Sequence, residues 1–232
     1  MSSFQISNIL FFQITQLFKG LISLKSLSLN MGSSDGITNP GLRLLSEIFF
    51  NTEPRFLLYG FSYIDDKSLN SLSQGLKIKI SLRNISFSFV NCKRILDFGI
   101  EYLSKGLKDL VLLKSLSLNF DHCKLIINGG LIYLRKVVKK LENLQRVNLN
   151  FSYCTKNSLY GVEEIFQTFK TLPSFQNIII KVHNYSYAVK VKQSKLKIRQ
   201  EMDHNFLQGN WLVEFNSLRE LFSKCRVYRN LT

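Results

Sequence analysis

Leu113-Lys-Ser-Leu116-Ser-Leu118-Asn-Phe120 is the stretch on which the fold turns. Its last three apolar residues follow each other at intervals of two, the period of a strand with one buried face. The same string returns three times at a constant offset. Leu82, Leu113, Leu144 and Phe175 form one row, and Ile85, Leu116, Val147 and Ile178 a second. Phe87, Leu118, Leu149 and Ile180 form a third, and Phe89, Phe120, Phe151 and Val182 a fourth. Cys92, Cys123 and Cys154 stand 31 residues apart and then 31 again. Past each cysteine come Gly99, Gly130 and Gly161, followed by apolar residues at helical spacing, such as Leu131, Leu134, Val138 and Leu141. A fixed period of this length marks a solenoid, whose units bury their apolar faces only by stacking on neighbours.

Each unit therefore reads as strand, loop and helix in succession. The glycine before the helix fits either a turn with positive φ or a close approach of the next coil, and spacing does not separate the two. The Leu-x-x-Leu-x-Leu string with its loop and amphipathic helix resembles the leucine-rich-repeat family, nearest its ribonuclease-inhibitor-like subclass with long α-helical repeats. The resemblance spans residues 10–182. The period of 31 is longer than the family's usual length of about 20–29. The extra residues fall in the loop, where the cysteine comes five positions after the last strand leucine. The fold this implies is an α/β solenoid, a short curved arc with a parallel sheet on the concave side and helices on the convex side.

Toward the N-terminus, Leu24, Leu27, Leu29 and Met31 match the strand rows, and Gly41, Leu42, Leu45 and Phe49 the glycine and helix rows. Phe56, Tyr59, Phe61 and Tyr63 supply the next strand, with Leu69, Leu72 and Leu76 as its helix. On this reading the loop of that unit is five residues short and leaves no room for a cysteine. A leading helix covers 10–21, repeats start near 24, 56, 82, 113 and 144, and a final strand spans 175–182. Beyond Val182 the pattern stops. Residues 183–232 are expected to form a C-terminal cap, with a basic extended segment from Ala188 to Ile198 and a closing helix through Phe206, Trp211, Leu212, Phe215, Leu218, Leu221 and Phe222.

With 45% hydrophobic residues the chain has material for a large core. No stretch reaches the roughly 20 apolar residues of a membrane-spanning helix, and the apolar start lacks the basic residues and cleavage signal of a secretory leader. The cysteines lie one per coil rather than in the paired spacing of zinc sites, which favours a row of buried thiols over disulfides or a metal. A reducing, cytoplasmic setting follows. His122, His183 and His204 fit no catalytic or metal motif, and no phosphate-binding loop is present. The expectation is a protein that is not an enzyme and needs no cofactor.

The surface carries what functional signal there is. Positions pointing away from the core on the strands are Ser26, Ser28 and Asn30; Asn84, Ser86 and Ser88; Ser115, Ser117 and Asn119; Arg146, Asn148 and Asn150; Asn177, Ile179 and Lys181. This face is neutral Ser and Asn until its C-terminal end, and the family resemblance implies a protein partner there. The net charge of +15 lies mainly elsewhere, on Arg135, Lys136, Lys139 and Lys140 and on Lys190, Lys192, Lys195, Lys197 and Arg199. Those last five are the candidate contacts for RNA or another acidic surface. Lysine outnumbers arginine 21 to 10, as expected of an AT-rich genome, so the charge is equally well explained as compositional.

Overall fold

The computed structural model describes residues 64–77 and 80–154, parts of 161–182, the strands at 26–30, 53–59, 185–192, 195–202 and 212–215, and Gln13. One sheet runs through all of it. Its strands are β1 Ser26–Asn30, β2 Glu53–Tyr59, β3 Asn84–Val90, β4 Ser115–Asn119, β5 Arg146–Phe151, β6 Asn177–Val182, β7 Tyr185–Lys192, β8 Lys195–Met202 and β9 Leu212–Phe215. They lie side by side in chain order. The first six are mutually parallel, with β4 against β5 in the register Leu116–Val147 and Leu118–Leu149. Helices α1 Asp66–Lys77, α2 Asp97–Leu107 and α3 Asn128–Val138 follow β2, β3 and β4. Helical residues after β5 occur at Gly161, Glu164, Ile165, Gln167 and Thr168. The expected leading helix, the helix after β1, and the closing-helix positions outside 212–215 fall outside the described residues, Gln13 excepted, which is helical.

The strand rows meet as the period requires. Ile85, Phe87, Phe89, Leu116, Leu118, Phe120, Val147, Leu149 and Phe151 are all buried, together with Leu103, Leu107, Leu134 and Val138 from the helices. Since the buried residues of strands and helices form one cluster, the helices cover a single face of the sheet. Phe89, Phe120 and Phe151 stack along the solenoid, with ring centroids 5.2 and 5.4 Å apart. At the entries of β4, β5 and β6 two successive amides converge on one carbonyl of the preceding coil. Lys114 and Ser115 donate to Arg83, Gln145 and Arg146 to Lys114, and Gln176 and Asn177 to Gln145.

The second strand corrects the sequence reading. Phe56 pairs with Phe87 and Leu58 with Phe89, so β2 keeps the 31-residue offset from β3 and the repeat begins five residues before the expected start near 56. The shortfall lies earlier, where Leu29 pairs with Phe56 across only 27 positions. Asp66 follows Tyr59 by seven positions, as Asp97 follows Val90. The strand-to-helix connection has kept its length, and the residue 31 positions before Cys92 is Phe61, which lies outside the described residues. A second correction concerns Leu212–Phe215, which the sequence pattern assigns to a helix. These residues form an antiparallel edge strand on β8. The cluster Trp-Leu-Val-Glu-Phe is rich in types that favour strands, and β8 offers it an edge.

Helix starts are built across repeats. The residues at the N-caps of α2 and α3 are Leu96 and Ile127, which have no side chain able to cap. Asp66 of the preceding unit supplies the acceptor instead, its Oδ1 taking the Leu96 N–H at 2.9 Å. Asp97 does the same for Ile127 at 2.9 Å. Helix α1 differs, with a reciprocal local pair in which Asp65 Oδ1 accepts from the Ser68 amide and Ser68 Oγ accepts from the Asp65 amide. The glycines follow from this. A Cβ on Gly99 would stand 2.5 Å from Asp66 Oδ1, and one on Gly130 would stand 3.2 Å from Ile100 and 3.3 Å from Asp97 Oδ1. At Gly129, one position before that row, a Cβ would stand 2.4 Å from Asp97 Oδ2. Close approach of the neighbouring coil is therefore the reason for glycine here, not a positive φ.

Candidate functional site

The loops after the strands hold the cysteine row, and its chemistry is structural. Cys92, Cys123 and Cys154 are buried free thiols. Cys123 Sγ donates to the Phe89 carbonyl at 2.9 Å and Cys154 Sγ to the Phe120 carbonyl at 3.2 Å, each reaching the end of the previous repeat's strand. Burial pushes the Cys154 thiol up to about 12. Hydrogen bonding with Cys92, and then burial, drives Cys123 well above the ordinary thiol range. Both stay protonated at neutral pH, so neither is a nucleophile or a metal-ready thiolate. Among the described residues no group of three His, Cys, Asp or Glu side chains is placed to hold a metal ion, and no helix is long and apolar enough to cross a membrane.

The residue before each cysteine, Asn91, His122 or Tyr153, has φ between 55° and 59°. This left-handed step turns the following thiol inward while leaving its own side chain outside. The rings of His122 and Tyr153 stack at 4.3 Å, and Asp121 Oδ1 lies 2.9 Å from His122 Nδ1. Tyr153 is 39% exposed. These two aromatic side chains form a rim along the C-terminal ends of β4 and β5. Sequence reasoning missed them, although their place one residue ahead of a periodic cysteine was available as a signal.

The face of the sheet away from the helices carries the residues named as the candidate interaction surface. Arg146 and Asn148 are exposed. Asn84, Ser86, Ser115, Ser117, Asn119, Asn150 and Lys181 are half-buried. Ser88 departs from the expectation, since it is 4% exposed and offers a partner almost nothing. Two asparagines have local work, with Asn119 Oδ1 accepting the Asp121 amide and Asn150 Oδ1 the Ser152 amide, both at 3.0 Å. Those bonds bend the chain out of the strand, as Asn side chains commonly do. What remains open is a carpet of short polar side chains, aligned strand to strand as Ser86–Ser117–Asn148 and Ser115–Arg146–Asn177.

The second group of candidates lies on the same sheet. β7 pairs antiparallel with β6, placing Lys190 beside Asn177 and Ala188 beside Ile179. β8 then places Lys197 opposite Lys190, Lys195 opposite Lys192, and Arg199 opposite Ala188. Paired residues share a face of a sheet, and residues two apart along a strand do as well. By register, Lys190, Lys192, Lys195, Lys197 and Arg199 therefore occupy the face of Arg146 and Lys181. By backbone register, the two groups of candidates fall on one face of the same sheet. The basic helix positions do not join them, and Arg135 on α3 is engaged by Glu164.

With parallel strands alternating with helices at a leucine-marked period, the fold is an α/β solenoid of the leucine-rich-repeat kind. No protein-family profile matches the chain, and no curated protein sequence matches it. Among solved structures, it is similar to "Leiomodin-1 Actin-Binding Site 2 (ABS2)", with 14% identity and a TM-score of 0.41, over 75% of this chain and 77% of that one.

Proposed function

We propose that this chain is a non-enzymatic protein-binding scaffold that uses the outer strand face, alone or as a subunit of a larger assembly. The observation that carries the reading is the row Ser86–Ser117–Asn148, aligned in register on three adjacent strands and at least partly exposed. Short polar side chains let a partner approach the sheet closely and still find hydrogen-bond donors and acceptors. The backbone beneath is held by pairing on both sides of β4, which lowers the ordering cost of binding. The His122–Tyr153 stack stands at the border of this face, where aromatic side chains contribute disproportionately to protein contacts. Buried, unpaired thiols fit a reducing compartment such as the cytoplasm. The long helical repeats are those of the ribonuclease-inhibitor-like subclass.

A pull-down from native lysate, with and without nuclease, tests the reading. Proteins captured by the wild-type chain should persist after nuclease treatment. They should be lost when Ser86→Glu, Ser117→Glu and Asn148→Glu are combined, because an unmatched charge buried in an interface is strongly unfavourable. Retention of the same proteins by that variant sinks the scaffold reading. A second reading, RNA or another polyanion bound at Lys190, Lys192, Lys195, Lys197 and Arg199, draws support from the concentration of cations on two adjoining strands. Capture abolished by nuclease is its signature.

A further inference from the structure

We infer that the partner of the outer strand face presents an acidic, extended polypeptide segment to the C-terminal end of the sheet. The inference rests on the scaffold reading and adds the chemistry of the ligand. Register supplies the first argument. Arg146 pairs with Asn177, Asn177 with Lys190, and Lys190 with Lys197, so one row crosses four strands and becomes more cationic along its length. The neighbouring row runs Asn148, Ile179, Ala188, Arg199 and ends at Glu214 of β9. By register, neutral positions thus give way to basic ones, with Glu201 and Glu214 following on β8 and β9.

Electrostatics supplies the second. Lys190 is directly opposite Lys197 and Lys192 directly opposite Lys195. Like charges at facing cross-strand positions destabilise a sheet, and an anionic ligand reverses that effect. Spacing gives the third. Residues two apart on a strand are about 6.6–6.8 Å apart and neighbouring strands about 4.8 Å. An extended peptide with carboxylates at alternate residues repeats at that same distance of about 6.6–6.8 Å, so several of its carboxylates meet cations at once.

Parity separates peptide from nucleic acid. Single-stranded nucleic acid is held by cations together with aromatic side chains on which bases stack. Tyr185 and Tyr187 pair with Val182 and Ile180, which are buried, so by register they share the core face and not the face of the lysines. Among the described strands β5 to β9, no aromatic residue falls on the basic face. The face has charge without a stacking platform, which suits carboxylates better than bases.

Fluorescence anisotropy of the full chain with a labelled peptide alternating Glu and Ser, and with a labelled oligouridylate of equal length, tests this at physiological salt. The peptide should bind more tightly than the oligonucleotide. Lys192→Gln/Lys195→Gln/Lys197→Gln should weaken peptide binding about ten-fold, the combined effect of three charge pairs. A charge-matched control at the C-terminal end of helix α3 and the turn after it, Lys136→Gln/Lys139→Gln/Lys140→Gln, should change it by about two-fold or less, because screening limits remote charges. If circular dichroism shows that the first variant does not fold, Arg146→Gln/Lys181→Gln on β5 and β6 decides, with about a three-fold loss expected. Absence of peptide binding, equal weakening by both triple variants, or tighter binding of the oligonucleotide each overturns the inference. Failure here leaves protein capture through Ser86, Ser117 and Asn148 intact, whereas failure of the scaffold reading removes that capture's dependence on those residues.

Discussion

Capping across repeats makes a prediction whose sign depends on a partner in the neighbouring coil. Asp97 is half-buried, and its Oδ1 accepts from the Ile127 amide at 2.9 Å at the start of α3. Loss of a capping side chain costs about 0.5–2 kcal/mol, so Asp97→Ala should destabilise by about 1 kcal/mol. Gly129→Ala adds a methyl 2.4 Å from Asp97 Oδ2 and 3.0 Å from its Cγ. The carboxylate must move aside, and the cap weakens although no capping atom has been removed. In the wild-type background Gly129→Ala should therefore cost about 1 kcal/mol, despite alanine's better helix propensity. Once Asp97 is alanine the obstruction is gone. Gly129→Ala should then be neutral or stabilise by up to about 1 kcal/mol, the difference between Gly and Ala in a helix. Urea unfolding of the wild type, both single variants and the double variant, followed by far-UV circular dichroism, gives the coupling directly. A coupling of about 1–2 kcal/mol is expected, and additivity within about 0.5 kcal/mol would refute contact between carboxylate and glycine.

The same carboxylate titrates in a definite direction: burial holds the Asp97 pKa above the ordinary aspartate value, against the lowering effect of the Ile127, Gly130 and Gly129 amides. A raised folded-state pKa gives stability that is fully present below the unfolded value and is lost as pH rises through the folded one; the stability of wild type minus Asp97→Asn should therefore fall from acid to neutral pH, and a rise would contradict the burial argument. Leu116 is 1% exposed in the central strand row, and Leu116→Ala should cost about 2–5 kcal/mol in urea unfolding. A cost below about 1 kcal/mol would mean that this row is not packed. Cys123 is buried and its thiol is held protonated, so a thiol reagent at neutral pH should modify it only as fast as the native structure opens; labelling at the rate of an unfolded cysteine would disprove the buried row.

The sequence was most legible where side chains repeat. From Leu82 to Val182 the strand rows, the helix faces and the burial of the cysteines follow from the 31-residue period, because each row stacks on its own copy. The second strand was misplaced because Phe56-x-x-Tyr59-x-Phe61-x-Tyr63 imitates the leucine string. An apolar pattern does not show which of two overlapping registers keeps the strand-to-helix connection intact. The caps were hidden for another reason. Asp66 and Asp97 lie 30 residues from the amides they serve, so a search for capping residues beside Leu96 or Ile127 finds nothing. The basic strip was half visible. Alternation in Ala188-Val-Lys-Val-Lys gives the parity of β7, but its alignment with β6 depends on pairing across a chain reversal.

These bonds also explain how such a chain can begin and stop. The unit of β4 and α3 is incomplete alone: its helix start needs Asp97 from the coil before, and the Cys123 thiol needs the Phe89 carbonyl of that same coil. Adding another parallel unit satisfies one such set of groups and creates the next. Among the described residues the scheme changes at helix α1, where Asp65 and Ser68 form a local reciprocal pair, and again after β6. After β6 the position of a fourth cysteine is Tyr185, the first residue of an antiparallel strand. An antiparallel partner satisfies the open edge of β6 with no return helix, and a chain without that helix has no next helix start to cap. The change of direction that ends the repeats also sets Lys190, Lys192, Lys195 and Lys197 at the register positions of Asn177 and its outer-face row. Termination and the placement of positive charge are thus consequences of one antiparallel pairing, and a variant that disrupted β6–β7 registry would lose both together.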